Sequence, residues 1–188
     1  KVKYNIPVPT SFCIFAKKLT HENHKFEVKG QLAESFPDAI ANVIAEPCAK
    51  NTLPAIAWAT YEIYQHDPSA IIGVFASDHA INNEAAFLDA WHAAEEIAAL
   101  DYMVLLGVTP NEPATGYGYI KYEQQSETNT GTSIHRVNDF VEKPDLAMAK
   151  RFLREGYLWN SGMFVFKAST LMQFLEKYQP EINAQIRA

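Results

Sequence analysis

Short apolar runs alternate with longer amphipathic segments along this chain, and this alternation restricts its fold more than any other feature. The apolar runs lie at residues 11–16, 40–45, 70–76 and 103–108. Each is short and bounded by polar residues, which is typical of strands, and the continuous run at 70–76 predicts a strand covered on both faces. Strands that alternate with helices predict an α/β fold with a layered sheet.

The intervening segments predict helices, because their apolar residues recur at helical spacing and capping residues precede them. Residues 22–35 carry the first helix, Asn51 and Thr52 cap a second that ends near His66, and Asn82 and Asn83 cap a third. The remaining helix signals are a cap at Asp145 with a stop at Gly156, and a cap at Ser169 with an end before Pro180.

The later part of the chain has a different pattern. Residues 117–123 and 133–141 alternate apolar with polar side chains, so they predict a less buried, antiparallel pair of strands. The polar loop 124–132 between them is the segment for which we expect most mobility. A last short strand is predicted at 163–166.

Composition restricts the class of partner. The 188 residues carry 16 basic and 22 acidic side chains, a formal net charge of −6, with 48% hydrophobic residues. This balance is that of a globular protein with its own core, and it argues against a nucleic-acid groove, which needs a basic surplus. No run is long enough to span a membrane. Cys13 and Cys48 form no disulfide framework, so we expect both to be free and mostly buried, in a reducing cytoplasm.

Polar segments follow three of the apolar runs, where ligands gather in open α/β sheets. They lie at residues 46–52, 77–79 and 109–118. Asp78 has two interpretations of equal weight, a carboxylate ligand for Mg²⁺ at a phosphate site or a cap of the following turn. His79 beside it is more typical of an orienting or packing residue.

Two further segments are candidates for binding. Pro144 predicts an extended Lys143, and adjacent strand residues point to opposite faces, so Glu142 and Lys143 form either a solvated charge pair or, where the strand ends, two groups of one site. Trp159 next to Asn160 suits a sugar, since rings stack on apolar sugar faces and amides bind hydroxyls, although the segment 159–162 is equally typical of a turn.

Several motifs occur in one order along the chain. They are EPCAKNT at 46–52, SDH at 77–79, TGYGYI at 115–120, FVEKP at 140–144 and WNSGMF at 159–164. In this order the series resembles the mannose-1-phosphate guanylyltransferases, which are sugar-phosphate nucleotidyltransferases. The WNSGMF and FVEKP strings are the most specific, and the resemblance covers residues 18–182.

The resemblance implies a fold and a domain. The fold is a Rossmann-like, layered α/β/α nucleotidyltransferase fold with a mixed, mostly parallel sheet, incomplete at the N-terminal strand and loop. Residues 1–188 would form one partial nucleotidyltransferase domain that is truncated at both ends, with a family-like core at 18–182 and an unassigned segment at 1–17.

The resemblance also implies an activity and residue roles. GMP would pass from GTP to mannose 1-phosphate, or to another sugar 1-phosphate, with Mg²⁺ as cofactor, no nucleic acid or membrane as partner, and a homo-oligomer as an open alternative. The catalytic residues would be Asp78, which binds the metal, and Lys143. The residues implied for the sugar are Tyr117, Gly118, Glu142 and Asn160. Those implied for the nucleotide are Glu46, Asn51, Thr52 and Ser77.

Departures from the family pattern give the chain a second interpretation. The family's triphosphate loop is rich in glycine and carries an arginine, but this chain has no glycine before Gly30 and no arginine before Arg136. We also find no candidate for the family's second metal-binding aspartate. We therefore expect the isolated chain to be nearly inactive, and the alternative is a non-catalytic module that binds a sugar nucleotide or a partner subunit.

Overall fold

The computed structural model describes residues 17–48, 51–76, 78–123 and 132–188. The predicted strand at 11–16, Cys13, Ser77 and most of the loop at 124–132 lie outside this described part. The chain divides into two compact units. In the described part, one unit comprises residues 71–166, and the other comprises residues 17–70 together with 167–188.

The strands and helices of the described residues follow one another in an α/β order. In chain order they are β1 (Lys18–His21), α1 (Lys25–Ser35), β2 (Val43–Glu46), α2 (Thr52–Tyr64), β3 (Ile71–Val74), α3 (Glu84–Ala98), β4 (Val104–Val108), β5 (Gly118–Tyr122), β6 (Val137–Glu142), α4 (Leu146–Glu155), β7 (Leu158–Lys167), α5 (Ala168–Tyr178) and α6 (Pro180–Arg187). Short 3-10 helices occupy Glu22–His24 and Pro37–Asn42.

The unit that contains both ends of the described chain is built on a parallel pair of strands and a helical layer. β1 pairs in parallel with β2, from Lys18 opposite Val43 to His21 opposite Glu46. Helix α2 packs against α5 and α6. The buried side chains of this layer include Ala57, Leu171 and Leu175.

The other unit contains a five-stranded sheet in the order β3–β7–β5–β6, with β4 also paired to β7. The pairs β4–β7, β5–β6 and β5–β7 are antiparallel. Two apolar clusters cover the sheet. Helix α4 contributes Ala149 and Phe152 to the cluster around Tyr119 and Tyr157, and helix α3 packs Ala94 and Ala98 against Val165.

The α/β class and the mixed sheet are confirmed, and so is the predicted antiparallel pair, which is β5 with β6. The helix capped by Asp145 is also confirmed. Its carboxylate accepts the N–H of Met148 at 2.8 Å, and Gly156 ends the helix with a left-handed φ of 77°. Within the described residues, no helix is long and apolar enough to cross a bilayer.

Several boundaries differ from the sequence-based prediction. The strand expected at 40–45 begins only at Val43, because Pro37 starts a 3-10 helix that continues to Asn42. Helix α5 begins at Ala168 rather than after a Ser169 cap. Carbonyls of the turn at 68–70 accept its first N–H groups, since Ala168 donates to Ala70 at 2.8 Å and Ser169 to Pro68 at 3.0 Å. Helix α6 was not predicted.

Cys48 is free, as expected, but it is exposed rather than buried. It lies in the loop just after β2, where no core element covers it. Free cysteines are usually buried, but a residue that follows the end of a strand can lie in an exposed loop, as Cys48 does.

Candidate functional site

The register of three strands brings Glu142, Gly118 and Asn160 into one row across the sheet. Gly118 on β5 lies directly opposite Glu142 on β6, so these two residues face the same side. On the other flank of β5, Tyr119 lies opposite Trp159 of β7, so the preceding Gly118 and the following Asn160 both face the reverse side. Gly107 of β4 lies opposite Asn160 and ends the row.

Neighbouring side chains fill the space that a side chain on Gly118 would occupy. A Cβ built on Gly118 would lie 2.7 Å from Oε2 of Glu142 and 2.7 Å from Cζ of Phe140. Both distances are shorter than real Cβ contacts. The glycine therefore lets a carboxylate and an aromatic ring lie directly on the backbone of β5.

Lys143 leaves the strand with an unusual backbone conformation. The sequence predicts an extended residue before Pro144, but the φ of Lys143 is +45°, and this prediction is wrong. Its N–H still bonds to the carbonyl of Tyr117 at 3.2 Å, so the chain has to turn sharply to reach the helix cap at Asp145. Such a backbone conformation in a residue other than glycine is strained.

The turn at Lys143 places two consecutive charged side chains together. Its Nζ lies 3.7 Å from Oε1 of Glu142, although residues adjacent in a strand would point apart. Both side chains are exposed, Lys143 by 66% and Glu142 by 57%, so the ion pair contributes little to stability and both groups can reach a ligand.

The segment at 159–162 is a bulge inside a strand, and not a turn between strands. Across from β4, the pairing moves from Leu105 opposite Phe164 to Gly107 opposite Asn160, which leaves extra residues on β7. Strand β7 is consequently continuous from Leu158 to Lys167, longer than the predicted strand at 163–166.

Ser161 and Gly162 hold this bulge. The hydroxyl of Ser161 donates to the carbonyl of Leu106 at 2.5 Å and accepts the N–H of Met163 at 3.1 Å. Gly162 has a φ of +74°, which glycine adopts without a steric penalty. The N–H of Gly162 donates to Oδ1 of Asn160 at 3.1 Å, so the bulge also orients the side-chain amide of Asn160. The NH₂ group of Asn160 takes no part in this hydrogen bond.

Trp159 faces away from the row. Its ring lies 5.0 Å from the ring of Tyr117, centroid to centroid, at 59°, and it packs against the cluster around Tyr119. Its Nε1 is buried and has no hydrogen-bonding partner in the described part of the chain. The ring of Trp159 and the side chain of Asn160 therefore lie on opposite faces of the sheet and do not form one sugar contact. Tyr117, which packs against Trp159, is 51% exposed.

The structure does not join Asp78 to the row. Asp78 is exposed on a turn, where the N–H of His79 reaches the carbonyl of Ala76 at 3.5 Å, and no contact links it to Glu142 or Lys143 among the described residues. In the same part of the chain, no three histidine, cysteine, aspartate or glutamate side chains lie close enough to hold a metal ion. A metal at Asp78 would therefore need its other ligands from a substrate or from water.

The three described residues expected on the nucleotide side lie in the other unit. Glu46 is the half-buried last residue of β2. Asn51 precedes α2 with a φ of 67°, and its side chain makes no capping hydrogen bond to the helix. Thr52 is the exposed first residue of α2. The predicted helix cap is thus correct in position, but the Asn51 side chain does not serve it.

Phe140 adjoins the row at Gly118, although the sequence motifs gave it no role. It lies two residues before Glu142, so the two side chains share a face of β6. The signal was present in the FVEKP string as strand alternation. That pattern alone does not show that the Phe140 ring contacts Gly118, because this contact depends on the pairing of β5 with β6.

Comparisons with known proteins agree on one family. The nucleotidyl transferase family matches residues 15–188. A mannose-1-phosphate guanylyltransferase of Escherichia coli is 40% identical over 165 residues, which cover 87% of this chain and 35% of the relative. The xanthan biosynthesis protein XanB of Xanthomonas campestris is 41% identical over 165 residues, which cover 87% of this chain and 34% of that protein. The chain thus spans about a third of the length of these relatives.

Solved structures give the same fold. A crystal structure titled mannose-1-phosphate geranyltransferase, from Thermus thermophilus, superposes with a TM-score of 0.76 at 25% identity, covering 90% of this chain and 47% of that one. A structure titled mannose-6-phosphate isomerase, from Helicobacter pylori, gives 0.74 at 29% identity, covering 91% and 63%.

Proposed function

Because the chain belongs to the nucleotidyl transferase family, we propose that the protein containing it transfers GMP from GTP to mannose 1-phosphate, giving GDP-mannose and pyrophosphate. The observation that carries this proposal is the row of Glu142, Gly118 and Asn160, with Lys143 beside it. The names of the similar proteins from Escherichia coli support the choice of mannose and of guanylyl transfer.

The row supplies the groups that a hexose 1-phosphate needs. The carboxylate of Glu142 accepts hydrogen bonds from sugar hydroxyls, and the amide of Asn160, held by the bulge, offers N–H donors. The ammonium of Lys143 lies beside Glu142 and neutralises the sugar phosphate. Gly118 lies between Glu142 and Asn160 on β5, whereas the ring of Tyr117 packs against Trp159 on the other face.

In the transfer, an oxygen of the sugar phosphate attacks the α-phosphorus of GTP, a new P–O bond forms, and the bond to pyrophosphate breaks. Such a reaction needs in-line positioning and charge neutralisation more than covalent chemistry from the protein. Lys143 serves both needs on the sugar side. Glu46, Asn51, Thr52 and Ser77 are proposed for the nucleotide.

Magnesium fits the chemistry of Asp78. Mg²⁺ keeps several waters and is commonly held by one or two carboxylates together with substrate phosphates, so a single exposed aspartate suffices on the protein side. When bound, the ion neutralises phosphate charge. Asp78 would hold it at the nucleotide phosphates.

Turnover by the complete gene product tests the proposal. We expect GDP-mannose and pyrophosphate to form from GTP and mannose 1-phosphate with Mg²⁺, and we expect Lys143→Ala to lower kcat/KM by about 10²–10³, as for other charge-stabilising groups. Lys150→Ala, at an exposed lysine of α4, is the control and should retain activity. Absence of turnover with every nucleoside triphosphate and sugar 1-phosphate tried would refute the proposal.

We expect the isolated 188 residues to be nearly inactive, because they contain no glycine before Gly30 and no arginine before Arg136 to bind a triphosphate. A second candidate for these 188 residues is a non-catalytic module that binds a sugar nucleotide or a partner subunit. The module predicts that GDP-mannose raises the Tm of the chain while GTP alone does not. Equal stabilisation by GTP would exclude it.

A further inference from the structure

Phe140 presents a large apolar surface next to the charged groups of the row. It lies opposite Ile120 in the β5–β6 pair, two residues before Glu142, and 42% of it is exposed. Ile120 on the same face is 4% exposed, so the aromatic residue, and not the smaller aliphatic one, meets the solvent. A ligand that covers this ring gains binding free energy, because apolar surface is removed from water.

The ring has a defined position because of Gly118. Its Cζ and Cε1 atoms lie 2.7 Å and 3.4 Å from the position that a Cβ would take on that glycine, and Oε2 of Glu142 lies 2.7 Å from the same position. The end of the ring and the carboxylate therefore adjoin above one backbone position. A ligand that hydrogen-bonds to Glu142 has the ring of Phe140 beside it.

The other aromatic residues near the row point elsewhere. Trp159 and Tyr119 lie opposite each other and share the face that packs against α4, where Tyr119 is fully buried. Tyr117 packs against Trp159. Trp159, which the sequence pattern offered as a candidate for stacking on a sugar, is therefore on the face away from Glu142, and Phe140 is on the side of Glu142.

The ring of Phe140, the carboxylate of Glu142 and the ammonium of Lys143 suit three different parts of one sugar phosphate. We propose that Phe140 is a specificity-determining residue that contacts the C–H face of a hexose 1-phosphate while Glu142 accepts from its hydroxyls and Lys143 meets its phosphate. The proposal rests on the proposed function, since it uses the same row. It adds a residue to which neither the sequence motifs nor the comparisons give a role, and it explains why a half-exposed phenylalanine lies beside two charged residues.

Direct binding of mannose 1-phosphate tests the proposal without requiring turnover. Titration calorimetry gives the Kd for the complete protein, and saturation-transfer NMR identifies which sugar protons approach the aromatic ring. We expect Phe140→Ala to weaken binding about 10-fold, Phe140→Leu to weaken it about 3- to 5-fold, and Phe140→Tyr to retain it, as expected for one aromatic contact. The saturation of sugar C–H protons should fall in the alanine and leucine variants.

A matched control is available at Phe174. This residue on α5 is 39% exposed, similar to Phe140, but it lies in the other unit and contacts Tyr178. Phe174→Leu should leave the Kd for mannose 1-phosphate unchanged. The affinity for GTP should be unchanged in all variants, whereas a purely structural role of Phe140 would weaken both ligands together.

Each outcome bears on one of the two proposals. Wild-type binding without turnover would refute the proposed function and leave the role of Phe140 standing. Wild-type turnover with unaltered sugar affinity in Phe140→Leu and Phe140→Ala would overturn the role of Phe140 alone. Absence of sugar binding by the wild type, or equal loss of sugar and GTP affinity in Phe140→Leu, would also overturn it. If Phe140→Ala does not fold, the leucine and tyrosine variants carry the comparison.

Discussion

Oε2 of Glu142 lies 2.7 Å from the position that a Cβ would take on Gly118. The missing side chain thus lets the last carboxylate of β6 lie against the backbone of β5. The same position is 2.7 Å from the ring of Phe140, so one glycine accommodates both neighbours.

Gly118→Ala should therefore displace the carboxylate and the ring together. We expect the affinity for mannose 1-phosphate to fall by about 10-fold or more, since both contacts are moved, with the Kd from calorimetry as the measurement. Gly116→Ala is the control, because a Cβ there meets nothing within 4 Å. Equal affinities for Gly118→Ala and the wild type would contradict this geometry.

Ser161→Ala should destabilise the bulge of β7. The hydroxyl makes two part-buried hydrogen bonds, to the carbonyl of Leu106 and from the N–H of Met163. The alanine variant leaves the Leu106 carbonyl and the Met163 N–H without these hydrogen bonds. We therefore expect the free energy of unfolding, measured by urea denaturation, to fall by about 1–3 kcal/mol. Ser169→Ala, at a serine that does not cap α5, should change it by less than about 0.5 kcal/mol. A similar loss in both variants would contradict these roles.

Gly73→Ala should destabilise the unit that contains the five-stranded sheet. A Cβ on Gly73 would collide with the ring of Trp91 and come within 2.7 Å of Cε2 of Phe75. Overpacking of this kind costs about 1–3 kcal/mol, which thermal or urea unfolding would measure. Gly30→Ala, at an exposed helical position with open space around it, should stabilise the chain by about 0.5–1 kcal/mol. Stabilisation by both changes would disagree with the packing of Trp91.

Asp67 should make stability depend on pH in the acid range. Its Oδ1 accepts the hydroxyl of Ser69 at 2.6 Å and the N–H of Ser69 at 2.8 Å, and these hydrogen bonds lower the pKa of the carboxyl group. A lowered folded-state pKa gives stability that is present above the unfolded pKa of about 3.9 and is lost as the pH falls through the folded value.

Asp67→Asn removes this titration while its carbonyl can still accept the same hydrogen bonds. We expect the decline in unfolding free energy below about pH 4 to be shallower in the variant than in the wild type, with urea denaturation at pH 7 and pH 3 as the measurement. Asp38→Asn is the control, because Asp38 is an exposed aspartate in the 3-10 helix Pro37–Asn42. An unchanged pH dependence in Asp67→Asn would show that the two bonds do not favour the charged form.

Local signals in the sequence identified most helices and strands because their causes are local. Asp145 and Gly156 bound α4 as predicted, since a cap and a left-handed stop act on neighbouring N–H and C=O groups. Ser169 failed as a cap because carbonyls of the turn at 68–70 already accept the first N–H groups of α5. That competition comes from a segment about a hundred residues away, which local patterns do not contain.

The candidate site was predictable residue by residue, but not as an arrangement. The motif strings identified Glu142, Lys143 and Asn160, whereas the side on which each lies depended on strand pairing. Trp159 next to Asn160 suited a shared sugar contact or a turn, and the pairing of Trp159 with Tyr119 puts its ring on the face opposite Asn160. Phe140 was given no role because its position beside Glu142 and Gly118 also depends on strand pairing.

By itself, the sequence determined the α/β class, the antiparallel pair of β5 with β6 and the chemical types available for a sugar phosphate, because periodicity, capping and side-chain chemistry are properties of short segments. Only the tertiary structure decided that Glu142, Gly118 and Asn160 form one row, that the bulge at Ser161 orients the amide, and that Phe140 borders the carboxylate. The register between β5 and β7 joins residues some forty positions apart. It is set by side-chain packing across the whole sheet, which no single segment encodes.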